Sequence, residues 1–121
     1  MAESHNLGRK GEDKAAEHLE SKGYKILKRN WTAGKLEVDI IAENKDYIVF
    51  VEVKTRSEDF LMSPASAITP KKQQSIVFCA DRYIQRYGVH KECRFDVITI
   101  IASGESLQVE HTENAFYPTL R

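Results

Sequence analysis

Apolar and polar residues alternate in two rhythms along this chain, and the changes of rhythm divide it into helices and strands. From about residue 5 to 22, Leu7, Ala15, Ala16 and Leu19 recur near one stripe of a helix, with Lys and Glu elsewhere, and Gly23 supplies a stop. Glu12 falls on that apolar stripe, where a plain structural role is to complement the helix dipole. Three strand-like runs follow: about 24–31, "LEVDIIA" at 36–42 and "YIVFVEVKT" at 47–55. The polar turn "ENKD" joins the last two as a hairpin. The stretch 56–69 is loop-like. Thr69 and Pro70 then read as the N-cap and first residue of a second helix, whose core face is Ile76, Ala80, Tyr83, Ile84 and Tyr87 and which Gly88 ends. "FDVITIIA" at 95–102 and "SLQVEH" at 106–111 close the chain as strands. The predicted fold is an α/β sandwich around a central mixed sheet, in the order helix, three strands, helix, two strands.

The alternation also sorts charge onto faces. In the third strand it groups Phe50, Glu52, Lys54 and Arg56 against Val49, Val51 and Val53, and in the second it groups Glu37, Asp39 and Ile41 against Leu36, Val38, Ile40 and Ala42. A hairpin whose paired residue numbers sum to 89 or 91 sets Glu52 opposite Glu37 or Asp39. Carboxylates so crowded repel, and buried ions are costly unless paired or metal-bound. Two readings answer that cost. Lys54 and Arg56 offset the acids in a structural salt-bridge network, or the acids hold a hard cation such as Mg²⁺ or Mn²⁺. In the second case Asp39, Glu52 and Lys54 form a set able to cut phosphodiesters, the lysine orienting water or offsetting charge on phosphorus.

Composition narrows the field. A chain of 121 residues with 41% hydrophobic and 30% charged residues suits one soluble domain with one core. The longest apolar runs, such as "VITIIA" at 97–102, fall far short of the roughly 20 residues that span a bilayer, so no membrane and a cytoplasmic location are expected. Cys79 and Cys93 lack metal-ligand spacing and read as buried thiols. The net charge of zero excludes global attraction to nucleic acid, so such a partner must be held locally. Lys25, Lys28, Arg29 and Trp31 in "YKILKRNW" mark where the basic residues lean.

From Asp39 to Lys54 the chain reads D-x(12)-E-V-K. With "GRKGEDKAAEHLESKGYKILKRNW", "LEVDIIAENKDYIVFVEVKTR", "AITPKKQQSIVFCADRYI" and "CRFDVITI", it resembles the YraN-like family of small bacterial proteins, in the PD-(D/E)XK nuclease superfamily. That similarity covers nearly the whole chain. It implies a restriction-endonuclease-like α-β-β-β-α-β-β sandwich and a Mg²⁺- or Mn²⁺-dependent endonuclease acting on DNA. Asp39 and Glu52 match the metal-ligand positions and Lys54 the catalytic lysine, while Glu12 matches the first-helix acid of nucleases similar to archaeal Holliday-junction resolvases. Branched or structured DNA is the substrate this arrangement suggests. Lys72 and Gln73 fit positions of further polar site residues, Arg56 a phosphate contact and Glu37 a supporting acid. Asp96, in an "RFD" stretch, is expected to partner a Lys or Arg. The sequence departs from the family's "GEID"-like stretch in having Leu36 before Glu37, with Gly34 the nearest glycine. A homodimer would suit a small enzyme facing two strands. The alternative is a non-catalytic nucleic-acid-binding or assembly module that retains the fold.

Overall fold

Five strands form one sheet with a helix packed on each face, and two hydrophobic clusters fill the two layers between them. The computed structural model describes the backbone of residues 2–58 and 68–118, and side chains from residue 8 onward within those bounds. The side chain of Leu7 and most of the expected loop, at 59–67, lie outside the described residues. The elements are α1 (Ala2–Ser21), β1 (Lys25–Ala33), β2 (Leu36–Glu43), β3 (Tyr47–Ser57), α2 (Pro70–Tyr87), β4 (Glu92–Ser103) and β5 (Ser106–Thr112). Their order is the predicted one.

Strands lie in chain order across the sheet, antiparallel except for the central pair β3 and β4, which run parallel. A parallel pair requires a crossover, and α2 provides it. Local chemistry sets the ends of that helix. Thr69 accepts from the Lys72 backbone N–H at 3.1 Å, Pro70 opens the first turn, and Gly88 at φ 61° donates its backbone N–H to the Ile84 carbonyl. Ile76, Cys79, Ala80 and Tyr83 of α2 pack on Ile48, Phe50, Phe95 and Val97. On the other face Ala15, Ala16 and Leu19 of α1 cover Val49, Val51, Ile98 and Ile100. Among the described residues no helix is long and apolar enough to cross a membrane.

One expectation fails. Simple alternation placed Val38 and Ile40 on one face, but Val38 packs in the cluster with α2 and Ile40 in the cluster with α1. The cause is an interruption between β1 and β2. Pairing runs through Arg29 with Ile40 and resumes at Trp31 with Val38, skipping Asn30 and Asp39, and Asn30 adopts the left-handed φ of 53°. Asn is among the few residues that tolerate this conformation. A left-handed residue turns the strand over, so Arg29 points toward α1 and Trp31 toward α2. The sheet's regular pattern therefore breaks at the position of the candidate acid Asp39.

Candidate active site

The β2 and β3 ladder has the register that sums to 91, with Ile40 opposite Val51 as its last pair. Asp39 and Glu52 are the next two positions, and there the strands no longer bond backbone to backbone. Instead Asp39 Oδ2 accepts the Val53 backbone N–H at 2.8 Å. Satisfying a strand amide with a side chain fixes that carboxylate beside Glu52. Glu52 itself is 5% exposed, and among the described residues its Oε1 has no hydrogen-bond partner. Burial first, and then the Asp39 carboxylate, push its pKa up to about 8 against the pull of Lys72 and Lys54. Lys72 Nζ stands 4.0 Å from that oxygen, beyond hydrogen-bond reach.

Glu12 enters from α1. Its Oε1 accepts from Arg29 Nε at 3.2 Å, Arg29 Nη2 at 3.0 Å and Asn30 Nδ2 at 2.9 Å, while Arg29 also pairs with Asp13. The same Asn30 that breaks the sheet pattern thus orients the first-helix acid. Glu12, Asn30, Asp39 and Lys54 line one open cleft of about 500 Å³, with Val53 and Thr55 at its wall. The fold brings together four candidates separated by more than forty positions of sequence: Glu12, Asp39, Glu52 and Lys54.

The other candidates divide. Lys72 reaches Glu52 from the first turn of α2. The Gln73 amide donates to the Ile68 carbonyl at 3.1 Å, so it ties the incoming chain to the helix start. Arg56 Nη2 lies 3.8 Å from Glu110 Oε1 on β5, along the strand from the acids. Glu37 pairs with Thr32 across the β1–β2 ladder, where regular pairing has resumed beyond Asp39. Asn30 was missed by sequence reading. Its signal was an Asn inside a strand-like run, where that residue is depleted.

A buried glycine sets how closely α1 approaches. A Cβ on Gly11 would collide with Thr55 Oγ1 on β3, with Ile100 side-chain atoms at 3.5 Å behind it. Gly11→Ala gains about 1 kcal/mol of helix propensity, but relieving the collision costs about 1–3 kcal/mol. The expected net loss is about 1 kcal/mol, read from the urea midpoint, with the Glu12 wall displaced from the cleft.

Among the described residues no group of three or more His, Cys, Asp or Glu side chains is placed to hold a metal ion. A cation here would rest on two carboxylates, Asp39 and Glu52. That set fits Mg²⁺ or Mn²⁺, which accept one or two carboxylates with water and substrate oxygens, and the orphaned Glu52 oxygen is the buried donor such an ion would satisfy.

The architecture is α/β, a five-stranded mixed sheet between two helices, with an acid and lysine cleft where β2 and β3 part. The chain belongs to the family described as "Uncharacterised protein family UPF0102", whose model matches residues 11–100. That span holds Glu12, Asp39, Glu52, Lys54 and Lys72, in keeping with the YraN-like resemblance. A UPF0102 protein of Phocaeicola vulgatus is 41% identical over 120 residues, covering 99% of both chains. One from Flavobacterium johnsoniae is 45% identical over 121 residues, covering 97% of this chain and 98% of its own.

Proposed function

We propose that the protein is a metal-dependent endonuclease that hydrolyses DNA phosphodiesters, with structured or branched DNA as its substrate. The observation that carries this reading is the buried Glu52 oxygen, without a hydrogen-bond partner among the described residues, set beside Asp39 at the point where β2 and β3 separate. A purely structural network would pair that oxygen, because leaving a buried acceptor unmade costs about 1–3 kcal/mol. Bound between these acids, Mg²⁺ or Mn²⁺ would polarise the phosphodiester and stabilise the leaving oxygen.

The chain's own groups supply the rest. Asp39 is held by the Val53 amide, which fixes its carboxylate at the cleft wall beside Glu52. Lys54, two residues beyond Glu52 on β3, places an ammonium at the cleft wall, where it orients the attacking water and offsets charge gathering on the phosphate oxygens. Glu12, fixed by Arg29 and Asn30, forms the opposite wall and limits how a phosphate can enter. Lys72, 4.0 Å from Glu52 and not hydrogen-bonded to it, is placed to reach a substrate phosphate at the same edge of the site.

The test is cleavage of single-stranded, duplex, flapped and four-way-junction DNA in Mg²⁺ or Mn²⁺, with EDTA controls. Wild-type cleavage is expected on at least one structured substrate. It is expected to fall by about 10²–10⁴-fold in Lys54→Ala, and to vanish in Glu52→Ala and in EDTA. No cleavage on any substrate by folded protein would overturn the reading in favour of a binding module.

A further inference from the structure

The C-terminal half of α2 and the turn joining β1 to β2 enclose a second open groove of about 540 Å³. It lies on a part of the molecule that the cleavage chemistry does not use. Trp31 at the end of β1 forms one wall and is held edge-on against Tyr83, ring centroids 5.3 Å apart. Phe78, Arg82, Gln85 and Arg86 form the other. These residues recur at helical spacing, so one stripe of α2 presents them together. Phe78 is 43% exposed, and the Arg82 guanidinium lies over its ring at 5.1 Å. Among the described residues, none that lines the groove is acidic.

The exposed Phe78 ring under Arg82, with Arg86 over the Tyr87 ring at 5.6 Å, makes the groove both aromatic and cationic, a surface suited to an occupant of matching chemistry. The charge on α2 identifies one. The helix carries Lys71, Lys72, Arg82 and Arg86 against a single carboxylate, Asp81, in a chain whose net charge is zero. The partner is therefore anionic and offers flat rings for stacking. An unpaired nucleotide strand meets both demands, since its phosphates attract Arg and its exposed bases stack on aromatic side chains. A duplex keeps its bases stacked on each other and satisfies only the first.

We infer that this groove binds a single strand of nucleic acid, Phe78 stacking on a base while Arg82 and Arg86 engage the flanking phosphates. The inference rests on the proposed nuclease reading for its purpose, because the same helix begins at the candidate active site with Lys72. From Lys72 to Arg82 the helix advances about 15 Å, at 1.5 Å per residue. An unpaired strand covers that distance in a few nucleotides. A strand held in the groove would thus be gripped a few nucleotides from the bond presented to Glu52 and Lys54.

The experiment is fluorescence anisotropy with labelled oligo-dT and a matching duplex, in EDTA so that nothing is cut. The proteins are wild type, Phe78→Ala, an Arg82→Ala/Arg86→Ala double variant, and Lys45→Ala in the distant β2–β3 turn as a control. Wild type is expected to prefer the single strand. Phe78→Ala is expected to weaken oligo-dT binding about tenfold or more while changing duplex binding little. The double variant is expected to weaken both and to reduce the log–log salt slope by about 1.4, at about 0.7 per lost phosphate contact on a single strand. Lys45→Ala should match wild type. Affinity unchanged in both groove variants, or absent from the wild type, overturns the inference and leaves the groove to an acidic protein segment. The expected losses without cleavage of any substrate keep the groove and remove the nuclease reading, so the two can fail separately.

Discussion

Asp96→Ala is expected to destabilise the protein by about 3–5 kcal/mol, the cost of breaking a buried ion pair. Asp96 is fully buried on β4, and Arg94, two residues earlier on the same face, is 5% exposed. The guanidinium donates from Nε at 3.0 Å and Nη2 at 2.9 Å to the two carboxylate oxygens, a bidentate pair. His111 Nε2 lies 2.7 Å from Asp96 Oδ2 and the Asn114 backbone N–H donates to Oδ1. With Nε2–H given to Asp96, His111 accepts through Nδ1 from His18 Nε2 at 3.2 Å, so the network joins α1 to β4 and β5. Arg94 also donates to the Tyr24 hydroxyl and stacks over the Tyr47 ring. Alanine at position 96 leaves this cation buried with the neutral Tyr24 and Tyr47 and, as its one remaining acidic partner among the described residues, Glu113, at 3.7 Å and largely exposed.

The loss is a large share of the roughly 5–15 kcal/mol that holds a domain of this size together. The urea midpoint reads it directly. Arg94→Met/Asp96→Leu, which removes both charges, is expected to recover most of it. The pH dependence has a definite sign. Burial alone would raise the Asp96 carboxyl, but hydrogen bonds from His111 and Arg94, with the guanidinium's charge, outweigh burial and leave it below its ordinary value. A depressed acid stabilises the fold above its unfolded pKa and loses that contribution as pH falls through its folded value. The gap between wild type and Asp96→Ala is therefore flat above about pH 5 and narrows only below about pH 4.

This network shows which parts of the molecule were legible before folding was considered. Thr69, Pro70 and Gly88 announced α2 because capping is local: the side chain and the amide it bonds are three residues apart. Glu52 and Lys54 were legible because period-two spacing on a buried strand needs a reason. The expected Lys or Arg partner of Asp96 is Arg94. By contrast, His18 and His111 are separated by 93 positions and share no spacing that connects them. The phase change at Asn30 and Asp39 was hidden for a different reason. Alternation assumes an uninterrupted ladder, and one left-handed residue on β1 reverses faces on its neighbour β2 as well. Gln73 had the right helix turn for the site, yet its amide was claimed by a backbone carbonyl that no side-chain pattern reveals.

Glu52→Gln is expected to make the metal-free protein more stable at pH 8, the opposite of what removing a structural ion pair would do. Burial, then Asp39, raise the Glu52 pKa to about 8 from 4.5. Between those values the folded chain holds a proton that the unfolded chain has shed, so the wild type loses stability as pH climbs from about 4.5 and stops losing it above about 8. At about 1.4 kcal/mol per unit, the ceiling on this penalty is several kcal/mol. Gln removes the charge, keeps the shape, and can donate its amide N–H to Asp39 as the protonated Glu52 carboxyl does. Thermal melts in EDTA should therefore show the variant ahead of wild type at pH 8 and level with it near pH 4. Adding Mg²⁺ at pH 8 should then reverse the order. A cation between the two carboxylates favours the ionised Glu52, and at a hundredfold excess over its Kd stabilises the wild type by about 2.7 kcal/mol. Gln cannot supply that charge. A wild type that melts above the variant in EDTA and ignores Mg²⁺ would mean that Lys72 and Lys54 already satisfy Glu52, and that the acids of this cleft are structural.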